Sequence, residues 1–138
     1  MSSNETLIHQ RAKELISEEE WLYLPPRPGL SDEPFLARFK NIKEEYALHG
    51  FRVDVICEAI AGYPFKQEIA IEVCVHSKCS QEKVTRFREH GVEALEIRLP
   101  KKVELDLYDD ELFNLAVWGE MNNVKNQEWI SLRSQSFN

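Results

Sequence analysis

Two strand-like runs, FRVDVICEAI at 51–60 and QEIAIEVCVHS at 67–77, each carry a carboxylate among apolar neighbours: Asp54 in the first, Glu72 in the second. An acid inside an apolar run is costly to bury without a cation or a hydrogen-bond donor. A fold that buries these runs must therefore bring a partner to each acid. The linking segment AGYPF holds Gly62 and Pro64, which mark a reversal, so the runs are expected side by side as a hairpin. Strand alternation puts Phe51, Val53, Val55 and Cys57 on one face, with Arg52, Asp54 and Ile56 on the other. In the second run Ile69, Ile71, Val73 and Val75 share a face, and Ala70, Glu72, Cys74 and His76 share its opposite. Two acids on neighbouring strands would make a ready divalent-metal site. The plainer alternative is a satisfied acid on each strand, Asp54 pairing with Arg52 or a nearby lysine.

Downstream, Ser80 reads as the N-cap of a helix that Gly91 closes. Glu82 and Lys83 fall in its first turns, and Val84 and Phe87 face the sheet. Lys83 is the lysine nearest the end of the preceding strand. It shares another face with Arg86 and His90, read either as ordinary exposed helix surface or as a nucleic-acid contact. VEALEIRL at 92–99 reads as a strand with Val92, Ala94 and Ile97 as core candidates. One helical crossover predicts that it lies parallel to 69–76.

Upstream, residues 5–20 have apolar or small residues at Leu7, Ile8, Ala12, Leu15 and Ile16, the rhythm of a one-sided helix with Asn4 as cap. Glu5, His9 and Lys13 recur every four residues and share a face. Spacing alone reads that face as a solvated charge stripe; the alternative is a face turned toward a cleft. Trp21–Leu24 reads as a short strand stopped by Pro25, Pro26 and Pro28, with Trp21 and Tyr23 as packing residues. Residues 35–46 are ambiguous: Phe35, Phe39 and Ile42 suit a helix, while the His49-Gly50 turn favours a strand in the second half. A helix over 109–120, apolar at Leu112, Phe113, Leu115, Ala116 and Val117, is expected to be disrupted by Gly119 and Asn122-Asn123. NQEWISL follows as a short last strand.

At 138 residues the chain fits one domain. It has no apolar run of membrane-crossing length and no signal-peptide h-region near Met1, so a cytoplasmic protein with no membrane partner is expected. Three cysteines, Cys57, Cys74 and Cys79, suit reduced thiols. The lack of any C-x-x-C pair excludes a zinc ribbon. Cys74, His76 and Cys79 could share a soft metal, though a semi-buried strand leading to a helix start accounts for them more simply. The net charge of −7 opposes counterion-driven nucleic-acid binding over the whole surface but leaves room for a local basic groove.

Taken together, Glu5, His9, Ala12 and Lys13; Arg52, Val53, Asp54 and Val55; Ile71, Glu72, Val73, Val75, His76-Ser77 and Lys83; Ala94, Leu95, Glu96, Ile97 and Leu99; and Trp129-Ile130 follow a recognisable order. The chain resembles the PD-(D/E)XK nuclease superfamily, and within it the competence protein CoiA-like proteins of bacteria, here without a zinc ribbon. Val53 stands where the pattern has proline, Arg98 where it has an acid, and Cys74 where the parent E-x-K pattern has lysine. A lysine displaced to the following helix would take over that role, Lys83 first and Lys78 second. The resemblance implies a restriction-endonuclease-like αβββαβ core, α/β in class, with a mixed central sheet flanked by helices and a C-terminal helix. It also implies DNA phosphodiester hydrolysis with Mg2+ (or Mn2+) held by Asp54 and Glu72. Glu5, Asp54, Glu72 and Lys83 would be catalytic, and His9, His76, Lys78 and Arg86 would bind substrate. DNA is the expected partner, RNA the second, and a homodimer would reach both strands. The alternative, motivated by Cys74 and the acidic charge, is an inactive protein of the same fold that binds nucleic acid or a protein.

Overall fold

His49 and Gly50 both adopt positive φ, 49° and 82°, a two-residue reversal whose twist matches that of paired strands. In the computed structural model, which describes residues 3–64, 66–75, 78–100 and 110–133 (side chains from residue 6), this turn joins β2 (Phe35–Leu48) to β3 (Phe51–Ala61). The whole of 35–46 is therefore strand, not only its second half. The helix-like spacing of Phe35, Phe39 and Ile42 comes from irregular pairing. Register shifts interrupt β2 between Arg38 and Phe39 and between Lys40 and Lys43. Asn41 and Glu45 take φ of 52° and 51°, and such bulges break the two-residue alternation.

The remaining elements are α1 (Ser3–Glu19), β1 (Trp21–Leu24), β4 (Gln67–Val75), α2 (Gln81–Glu89), β5 (Glu93–Leu99), α3 (Asp110–Met121), a 3-10 turn (Val124–Asn126) and β6 (Gln127–Ser131). Helix α1 begins before Asn4, the expected cap, and α3 runs through Gly119. The protein is a mixed α/β fold with one six-stranded sheet in the order β1-β2-β3-β4-β5-β6. Neighbouring strands are antiparallel except β4 and β5, which are parallel as the single-helix crossover requires. Gly62, in the β3–β4 connection, has φ 94°, and a Cβ there would meet the Leu36 carbonyl oxygen at 2.5 Å. Only glycine fits that approach.

The sheet curls until its two ends meet. Tyr23 on edge strand β1 donates its N–H to Asn122 Oδ1 at 2.9 Å and accepts from Gln127 Nε2 at 2.8 Å. Trp129 on β6 donates its indole N–H to the Pro26 carbonyl at 3.1 Å. Side chains thus occupy backbone groups that an open edge would expose. Trp21 packs edge-on against Trp118, whereas Tyr23, expected to pack, is 40% exposed.

Each face of the sheet has a core. Ile8, Ala12, Leu15 and Ile16 of α1 and Val117 and Met121 of α3 pack with Leu22, Val55, Cys57, Ile69, Ile71, Leu95 and Ile97. Val84 and Phe87 of α2 pack with Ile56, Ala70, Ala94 and Ile130. Leu7, Leu112 and Leu115, counted among the apolar positions of their helices, are exposed. Val53 belongs with the α2 side, whereas Val55 and Cys57 belong with the other, so the expected alternation fails across Asp54.

A buried ion pair knots distant segments together. Arg27, 5% exposed, donates from Nε and Nη2 to the two oxygens of Glu93 at 2.9 and 2.8 Å. Tyr63 Oη and the Arg133 N–H donate to the same carboxylate at 3.0 and 2.7 Å. No helix among the described residues is long and apolar enough to cross a membrane.

Candidate functional site

Strands β3 and β4 pair from Ala59↔Gln67 to Val55↔Ile71 and then part. The next residue along each strand is one of the two acids. Glu72 Oε2 accepts the Asp54 N–H at 2.7 Å, and Asp54 Oδ2 accepts the Val73 N–H at 2.9 Å. Each carboxylate does for the other strand what a ladder carbonyl would have done. The acids therefore converge at the point of separation instead of lying on opposite faces.

A basic side chain reaches this point from each side. Lys83, set in the first turn of α2 by the Ser80 cap (Lys83 N–H to Ser80 Oγ, 3.2 Å), forms an ion pair with Glu72 Oε1. From α1, His9 Nε2 lies 3.2 Å from Asp54 Oδ2. Lys13, one turn on, is buried and pairs with Glu45. The face of α1 carrying His9 and Lys13 is thus turned onto the sheet, not left as a solvated stripe. Arg52 is 73% exposed and pairs with Glu45, not with Asp54.

Glu72 is 3% exposed. Burial, and then the charge of Asp54, push its carboxyl up to about 6 from 4.5. Burial also pushes Asp54 upward, but the His9 and Val73 hydrogen bonds and the charges of His9 and Lys83 outweigh it and leave Asp54 below its ordinary value. Burial favours neutral Lys83; its bond and charge contact with Glu72 outweigh that and raise it. The environments push the two acids apart, a pattern seen where carboxylates share one locus.

The row of acids extends to β5. Glu96, the register partner of Glu72, is 2% exposed. Its Oε1 accepts the Cys79 N–H at 2.6 Å and its Oε2 lies 3.5 Å from Arg98 Nε. It was not among the expected site residues, although it carries the same signal, an acid in an apolar run. The Cys74 thiol, two residues beyond Glu72, is pushed up by Cys79 and then by burial. Cys74 in turn lowers the Cys79 thiol.

Arg86 lies over the Phe51 ring at 5.7 Å and is not drawn to the carboxylates. Lys78 is exposed ahead of α2. The Glu5 side chain and His76 lie outside the described residues. Among the described residues no three His, Cys, Asp or Glu side chains form a group that could hold a metal ion. The soft-metal alternative of Cys74, His76 and Cys79 depends on His76, which lies outside the described residues. Asp54 and Glu72 remain a pair of hard oxygen donors, chemistry that suits Mg2+, which binds through one or two carboxylates and retains waters. No protein-family model, curated protein or solved structure matches the chain.

Proposed function

We propose that the chain is a divalent-metal-dependent nuclease of the PD-(D/E)XK kind, with a restriction-endonuclease-like αβββαβ core, that hydrolyses DNA phosphodiester bonds. The observation that supports this reading is the convergence of Asp54, Glu72 and Lys83 where β3 and β4 part. A buried carboxylate, Glu72, raised to about 6 by burial and by the charge of the half-buried Asp54, forms with it a locus that a cation relieves. Asp54 and Glu72 would hold Mg2+ or Mn2+, with a backbone carbonyl of residues 73–74. The ion supplies Lewis acidity toward a phosphoryl oxygen and acidifies a bound water.

The chain's own groups do the rest. Lys83 holds an ammonium beside the carboxylates, a charge able to orient a water or offset charge on the phosphate in the transition state. His9 fixes the orientation of Asp54 through their contact. Glu5 enters the reading only through the resemblance. Cleavage of single- and double-stranded DNA, and of RNA, in Mg2+ or Mn2+ tests the proposal. Wild type should cut, and Asp54→Asn or Glu72→Gln should lose more than the roughly 10–100-fold that losing a group merely supporting a metal ligand costs. Wild type that cuts nothing in either metal overturns it.

A second reading has its own support. Asp54 and Glu72 are already met by Lys83, His9 and two backbone N–H groups of the same chain, which is also how an inactive protein of this fold would settle its acids. Such a protein would bind nucleic acid or a protein partner and, by calorimetry, take up no Mn2+ in a manner dependent on Asp54 and Glu72.

A further inference from the structure

The face of α2 that carries Lys83, Arg86 and His90 enters the functional reading only at Lys83. We propose that its far end, together with the tip of the β2–β3 hairpin, is a stacking ledge for an unpaired base, so that the site takes single-stranded DNA; this rests on the reading of DNA as partner and names its form. The His49 and His90 rings lie 4.2 Å apart with 4° between their planes. His90 is 6.4 Å from the Phe51 ring, tilted by 31°, and the Arg86 guanidinium lies over that same ring at 5.7 Å. Four planar groups thus follow one another. Phe87 anchors the row from the core, edge-on to Phe51 at 5.2 Å. Both histidines are exposed, so the row offers ring surface to solvent.

The row leads to the carboxylates along two elements at once. On β3, Phe51 stands three residues before Asp54; on α2 and its cap, Arg86 and His90 stand three and seven residues after Lys83, which pairs with Glu72. Seven helical residues rise about 10 Å, the length of about three stacked nucleotides at 3.4 Å each. A strand with one phosphate at the acids therefore reaches the ledge with a base a few nucleotides away. Bases inside a duplex are already covered on both faces by their neighbours, whereas an unpaired base stacks on aromatic rings and guanidinium planes. Lys83 and Arg86 make a narrow basic row that suits one backbone, and the net charge of −7 opposes wrapping of a duplex.

The experiment titrates the full chain, in EDTA so that no metal-dependent cleavage occurs, into a fluorescein-labelled oligothymidylate and into the same strand paired with oligoadenylate, and reads anisotropy. The single strand should bind at least about tenfold more tightly than the duplex, the scale of one base stacked on a ring. His49→Asn removes a ring and gives Asn-Gly, the preferred pair for this reversal, so the hairpin persists. It should weaken single-strand binding about tenfold and leave duplex binding unchanged. His90→Ala should do the same, and His49→Phe, which keeps a ring, should bind like wild type. Equal affinity for the two forms, undiminished binding by His49→Asn, loss of binding in His49→Phe, or binding of oligouridylate alone would each overturn the proposal. Single-strand binding that follows the rings, in a chain that cuts nothing in Mg2+ or Mn2+, supports the ledge and removes the nuclease reading; cleavage by a chain whose binding is indifferent to the rings does the reverse.

Discussion

Glu72 carries most of the local electrostatic cost. Its folded-state pKa, raised to about 6 by burial and Asp54, exceeds the ordinary 4.5, so between these values the folded chain holds a proton that the unfolded chain has released. Stability from this group is complete below about 4.5 and is lost as pH rises through about 6. Asp54 has the opposite sign: lowered in the fold, it contributes above its unfolded value of 3.8 and loses that contribution as pH falls through its folded value. Urea titrations at pH 4.5 and 6.5 should therefore show a decline, attributable to Glu72, of about 1.5 kcal/mol. Glu72→Gln should remove most of it, and an identical decline in that variant would contradict the assignment. At this scale the acids were legible because a carboxylate in an apolar run needs a partner. Their partners were less so: His9 lies 45 positions before Asp54, and spacing cannot say onto which element a helix face will be laid.

Helix α2 is the element that links the fold to the site, because its cap decides where Lys83 starts. Ser80→Ala removes the acceptor for the Lys83 N–H and should cost about 1 kcal/mol, measured by urea denaturation. A variant as stable as wild type would show the cap to be dispensable. Both ends of α2 were readable in advance. At its C-terminal end Gly91 has φ 62°, with Val92 N–H to the Phe87 carbonyl at 3.0 Å and Gly91 N–H to the Arg88 carbonyl at 3.2 Å. Strand β2 was not readable in its first half, since two register shifts destroy the alternation by which strands are recognised. In α3 the apolar count misled in another way. Leu112 and Leu115 are exposed while Val117 and Met121 are buried, and only the position of the helix against α1 and β5 selects the buried side.

The whole molecule is held at the Arg27–Glu93 pair, where the segment after β1, the β3–β4 connection, the start of β5 and the chain after β6 meet. Arg27→Met would leave a fully buried carboxylate without its cation and should cost about 3–5 kcal/mol. Arg27→Met/Glu93→Leu should recover much of that loss, and equal destabilisation in the two variants, measured by denaturant titration, would exclude an electrostatic origin. The sequence by itself determined the hairpin turn, the caps of α2, the parallel β4–β5 pairing and the presence of two acids needing partners, because each follows from local sterics or a short crossover. The curl of the sheet, the parting of β3 and β4 beyond Val55↔Ile71 and the meeting of His9 with Asp54 were decided only in three dimensions. They depend on which distant surfaces bury one another, and no short window of residues contains that information.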